Sequence, residues 1–135
     1  MSIRLERRDL INTQQMEVAV RGPDGATHLI LCTGIACLTS GIDETFTFLV
    51  GPQLSSRQFV GVIASGALSR VQTYEEDSIR SQSGIELRAD LLSIDANYDS
   101  ESGQVKVRAE VSSSSTMTKL SISYSVSILA ELPIY

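Results

Sequence analysis

Residues 55–73 read SSRQFVGVIASGALSRVQT, and whether this stretch coils or extends decides the fold. Val60, Ile63, Ala64, Ala67, Leu68 and Val71 fall at i, i+3, i+4, i+7, i+8 and i+11, the spacing of one helical face. Gly61, Ser65, Gly66, Ser69, Arg70 and Gln72 take the other side. Ser55 followed three residues later by Gln58 is a capping-box signature at the expected start. Gly84 supplies a terminator, because glycine takes the left-handed conformation past a helix end. The acidic run Glu75-Glu76-Asp77 marks a break before a second short helix reaching Ser83. Against this, Gly61 and Gly66 each weaken a helix by ~1 kcal/mol relative to Ala. The competing reading makes Phe59 to Val71 one long strand. The helical reading gives an α+β fold, an antiparallel β-meander with one main helix packed on it. The extended reading gives an all-β sandwich.

Downstream the period is two. Leu87 and Ala89, then Leu92, Ile94, Ala96 and Tyr98, open the pattern. Asp99-Ser-Glu-Ser-Gly103 reads as a turn, with Gly103 at the positive-φ position. Val105, Val107, Ala109 and Val111 return against Gln104, Lys106, Arg108 and Glu110. Ser112 to Thr118 is a polar loop. Leu120, Ile122, Tyr124, Val126 and Ile128 then alternate with Ser121, Ser123, Ser125 and Ser127, and Pro133 ends the strand. Such alternation buries one face of a strand and leaves the other for water or a partner. Four serines with no charge permit close approach by another backbone, and a long neutral edge strand is a template for pairing. A serine face simply in water fits equally.

Upstream, Met16, Val18 and Val20 alternate, Gly22-Pro23-Asp24-Gly25 turns, and Thr27 to Cys32 returns, a strand–turn–strand pattern. Ile30 to Cys32 and Ile35 to Leu38 read as strand pieces with Gly34 at a bend between them. Glu44 to Val50 has strong β character. Residues 1–15 show no sustained period and read as a polar N-terminal arm, or an edge strand that needs a partner. Residues 16–135 form a single domain.

Composition narrows the class. The chain has 135 residues, 42% of them hydrophobic and 20% charged, enough for one core and too apolar for disorder. Net charge is −5, which disfavours phosphate backbones as ligands. Positive charge gathers at Arg4, Arg7 and Arg8, a cluster that suits an acidic partner or a solvated arm. No apolar run approaches the ~18 residues of a membrane span. No signal peptide is visible, because residues 1–20 lack a continuous apolar stretch.

The inventory for chemistry is thin. His28 is the single histidine. On a strand it shares a face with Cys32 at i+4 but stands ~13 Å away at ~3.3 Å per residue, too far for proton transfer. Cys32 and Cys37 read as buried free thiols, with no further Cys or His pair for zinc. Asp95, Asn97, Asp99 and Glu101 resemble part of a calcium loop but lack its mid-loop glycine and its position-twelve glutamate. No phosphate-binding glycine motif and no serine-nucleophile elbow occurs. The expectation is a non-enzyme with no cofactor and no metal.

The helix, the acidic stretch with Ser78-Ile79, Ile85-Glu86-Leu87 and the run Leu92 to Val111 together resemble the baseplate-wedge or sheath-initiator family of contractile phage tails. There a helix is joined to a meander whose turn reads Tyr-Asp-x-x-x-Gly, as Tyr98, Asp99 and Gly103 do here. The likeness covers residues 64–112. The family's Arg/Met-Pro-x-Tyr/Phe-Gly segment is absent, with only Gly51-Pro52 nearby. The resemblance implies a virion structural protein, assembled in the host cytoplasm and contacting other virion proteins or copies of itself. It assigns no binding residue. The residues themselves nominate Ser121, Ser123, Ser125 and Ser127, with Arg4, Arg7 and Arg8, as the interaction face. The alternative function is a free-standing β-rich binding module for a small ligand or peptide.

Overall fold

A computed structural model describes residues 2–20, 27–73, 89–113 and 118–132. Its strands are β1 (Ser2–Arg4), β2 (Leu10–Val20), β3 (Thr27–Ser40), β4 (Asp43–Val50), β5 (Phe59–Thr73), β6 (Ala89–Asp99), β7 (Gln104–Ser113) and β8 (Thr118–Glu131). They form two four-stranded sheets, ordered β1-β4-β7-β6 and β2-β3-β8-β5. The inner faces meet in one core of Phe46, Phe48, Val105, Val107, Ile30, Ile122, Val126 and their neighbours. Phe48 of one sheet and Tyr124 of the other bring their rings to 4.9 Å. Each fully buried Val, Ile or Phe there contributes roughly 1.5–3 kcal/mol.

The α+β expectation is therefore corrected: among the described residues there is no α-helix, and the all-β sandwich is the observed fold. The stretch expected to coil is β5, paired with β8 from Phe59 to Thr73. Val62, Ala64 and Leu68 turn inward onto the core, whereas Ile63 is 75% exposed. The helical spacing arises because apolar residues lie on both faces of this strand. The capping box is real but local. Ser55 N–H donates to Gln58 Oε1 at 2.8 Å and Gln58 N–H to Ser55 Oγ at 3.3 Å. Those bonds close one turn, and the chain then extends. The acidic break, the second short helix, Gly84 and Ile85–Leu87 lie outside the described residues, as do Gly22-Pro23-Asp24-Gly25 and Pro133.

A meander is also absent. β6 and β7 form a hairpin, but β7 and β8 lie in different sheets. β8 instead pairs antiparallel with both β3 and β5. Successive pairs are nested, β3 with β8 and β4 with β7, a wrapping of the kind double-sheet folds use. β3 also runs through Gly34 without a break. A Cβ on Gly34 would stand 2.5 Å from the Tyr124 hydroxyl, so glycine here makes room for an aromatic ring.

The hairpin turn after β6 is as expected. Gly103 has φ +73°, and Asp99 accepts from Ser102 N–H at 3.1 Å and Ser102 Oγ at 2.6 Å. The crossover between β4 and β5 is tied to this turn by Leu54 N–H to Gly103 O at 2.7 Å and Tyr98 Oη to Leu54 O at 2.6 Å. One side of the sandwich is thereby sealed, with Phe59 stacked on Tyr98 at 5.2 Å and Ile94 reaching Gly66. The other side, between β1 and β2, is open.

Candidate functional site: an open edge and a serine-striped sheet face

β2 is the end strand of its sheet, hydrogen-bonded to β3 alone. After Leu10 every one of its residues is exposed, because β1, only three residues long, does not extend over it. A cleft of about 790 Å³ opens in this gap. Arg4, Arg7, Thr13, Gln15, Gln104 and Tyr124 are among its lining. Arg4 ends β1, and Arg7 and Arg8 lie in a single 3-10 turn, Arg7–Asp9. That turn is closed by Glu6 N–H donating to Asp9 Oδ2 at 2.8 Å. Arg8 pairs with Glu6 at 3.3 Å. Arg4 and Arg7 have no ion-pair partner among the described residues.

The four serines sit elsewhere. They point outward from β8, with Ser123 and Ser125 exposed and Ser121 and Ser127 half-buried. β8 is bonded on both sides, so it offers no edge for pairing, contrary to the expectation for the last strand. Its serines are the central stripe of a face. The cross-strand rows are Val18–Leu29–Leu129–Gly61, Met16–Leu31–Ser127–Ile63, Gln14–Thr33–Ser125–Ser65 and Ile11–Ile35–Ser123–Ala67. None of these rows holds a charged side chain, but the next row, Cys37–Ser121–Arg70, sets an exposed arginine opposite Ser121. Met16 is 61% and Ile63 75% exposed at its rims. The arginines and the serines thus belong to different surfaces, the open edge and the outer sheet face. The sequence offers residues 1–15 as an arm or an edge strand that needs a partner and Met16–Val20 as a separate strand; the edge strand observed is β2, Leu10–Val20, which joins the two.

Two titratable groups on the cleft are held toward their neutral forms. Burial pushes the Cys32 thiol up, and burial followed by the nearby Cys32 pushes the Tyr124 phenol up. A thiol kept neutral is a poor nucleophile at neutral pH. His28 lies apart, with Nδ1 2.8 Å from Glu17 Oε1. Cys32 and Cys37 are both free. Five positions apart on one strand, they point to opposite faces. No group of three or more His, Cys, Asp or Glu among the described residues is placed to hold a metal. No helix among them is long and apolar enough to cross a membrane. No protein-family model, curated protein or solved structure matches this chain.

Proposed function

We propose that the chain is a structural assembly protein that acts through protein–protein contacts. The observation that carries this reading is β2, an eleven-residue edge strand exposed along nearly its whole length. Long, uncovered edges present unpaired N–H and C=O groups to another chain. The serine-striped sheet face beside it, without charged side chains from the Val18 row to the Ile11 row, adds a second surface of the kind that packs sheet on sheet. The narrower role, in the tail or baseplate of a phage or phage-like particle, is proposed on the Leu92–Val111 hairpin sequence. The helix and meander that completed the resemblance do not occur among the described residues. Mass spectrometry of purified particles from the producing strain tests the reading. It predicts this chain at fixed stoichiometry with the other particle proteins, and its absence from every particle overturns it.

The cleft favours a second reading, a binding module for a carboxylate-bearing ligand or peptide held by Arg4 and Arg7. Thermal stabilisation by such a ligand, lost in an Arg4→Gln/Arg7→Gln double variant, would favour it over assembly.

A further inference from the structure

The edges of this sandwich are not treated alike. β5 and β6 end their sheets but pack on each other, through Gly66 against Ile94 and Phe59 on Tyr98. β1 is three residues long and ends in Arg4. Short length, covering and charge are the usual protections of an edge. β2 has none of them. Its sequence LINTQQMEVAV holds no Lys, Arg or Pro and a single charge, Glu17. A register shift between Ile11 and Gln14, with Asn12 at φ 52°, disturbs one end only. Gln14 to Val20 is regular, and on the side away from β3 no described strand pairs with it.

We infer that β2 pairs antiparallel with β2 of a second copy, centred on Met16, joining the two β2-β3-β8-β5 sheets into one of eight strands. A two-fold axis perpendicular to a sheet keeps every residue on its own face, so facing residues share parity and the centre falls on one residue. Charge rules out one centre and favours another. Centring on Glu17 sets two carboxylates directly opposite, which is destabilising. Centring on Gln15 places Glu17 against Thr13, inside the shifted region. Centring on Met16 places Glu17 of each copy against Gln15 of the other, and Val18 against Gln14. Gln15 lines the cleft that also holds Arg4 and Arg7. The acid of one copy, which lies 2.8 Å from its own His28, is thereby brought to the side of the other where Arg4 and Arg7 lack ion-pair partners among the described residues and Glu6 is taken by Arg8, and the symmetry makes this exchange twice. On the opposite face Met16 meets Met16 in an apolar stripe with Val18 and Leu31.

This inference rests on the assembly reading and names its first partner. Light scattering on the pure chain gives the mass in solution, expected at twice the 14.6 kDa of one chain. Met16→Lys sets two ammonium groups opposite each other at an exposed position and returns the mass to one chain, with an unchanged circular dichroism spectrum. Met16→Cys, in a Cys37→Ser background, forms an intermolecular disulfide on mild oxidation, because directly opposed Cβ atoms lie ~4.5–5.5 Å apart. Val18→Cys in the same background does not, since Val18 faces Gln14. A monomeric wild type, or a dimer that Met16→Lys leaves intact or Met16→Cys fails to cross-link, overturns the inference. A monomer still present at fixed stoichiometry in particles would remove the self-pairing and leave the assembly reading standing.

Discussion

Gly34 and Tyr124 face each other across β3 and β8, and their fit is the tightest single constraint in the core. The phenol occupies the space where a Cβ would stand, 2.5 Å from Oη and 2.8 Å from Cζ, while Phe48 holds the ring from the other sheet. Gly34→Ala must displace that ring, and a loss of roughly 1–3 kcal/mol is expected, the range for overpacking a filled core. Urea denaturation measures it. Tyr124 and Cys32 also set the alkaline limit. Both are raised by burial, from ordinary values of 10.0 and 9.0. The folded state holds their protons where the unfolded state has begun to lose them, so stability falls as pH rises. Urea midpoints are expected to decline from about pH 8, about one unit below the unfolded thiol's midpoint, and Cys32→Ala is expected to remove the first part of that decline. Asp99 works in the opposite direction. Hydrogen bonds from Ser102 hold its carboxyl below the usual range, so its support of the turn is lost only as pH falls through that lowered value.

The instructive element is β5. Its residues satisfy the helical rule and begin with a working capping box, yet they extend. The decision is not local. Extension gives β5 antiparallel pairing with β8 along its whole length and puts Val62, Ala64 and Leu68 on the core; a helix would leave one edge of the long, buried β8 unpaired. The two glycines distinguish the conformations. A Cβ at Gly61 meets nothing within 4 Å, whereas at Gly66 it meets Ile94 at 3.0 Å and the Ser123 carbonyl at 3.2 Å. Gly61→Thr should therefore stabilise by up to ~1 kcal/mol, the span of strand propensity, and Gly66→Thr should destabilise by ~1–3 kcal/mol through overpacking. Thermal melts of the two variants check this, and equal gains in both would contradict the extended conformation. Where the hydrophobic period was clean, the element was legible: Glu44–Val50, Val105–Val111 and Leu120–Leu129 all lie within observed strands. Pairing was not legible, because a period of two shows which side chains are buried and not which strand lies alongside. That is why β8 was open to reading as an edge.

At the scale of the molecule, interior and surface are divided unequally between the sheets. β8 and β7 are central strands and carry most of the fully buried side chains. β2 contributes almost nothing to the core, and its apolar side chains remain exposed. The serine stripe, nominated from sequence as the interaction face, proves to be the middle of an outer sheet face, with Arg70 opposite Ser121 at one end. The arginines gather instead at the open side, with Arg4 and Arg7 on the cleft. That separation needed the three-dimensional arrangement, since no local pattern places residues 4 and 7 beside Gln104 and Tyr124. The sandwich ends in one long exposed edge, β2, that no described strand covers, and the proposed assembly role depends on that edge. Residue-resolved hydrogen exchange, followed as protein concentration rises, tests it most directly. Amides of β8 and β7 should be the slowest at every concentration, and those of Gln14–Val20 that face away from β3 should exchange rapidly when dilute and become protected as chains associate. Slow, concentration-independent exchange throughout Gln14–Val20 would show that edge already covered and would contradict the account.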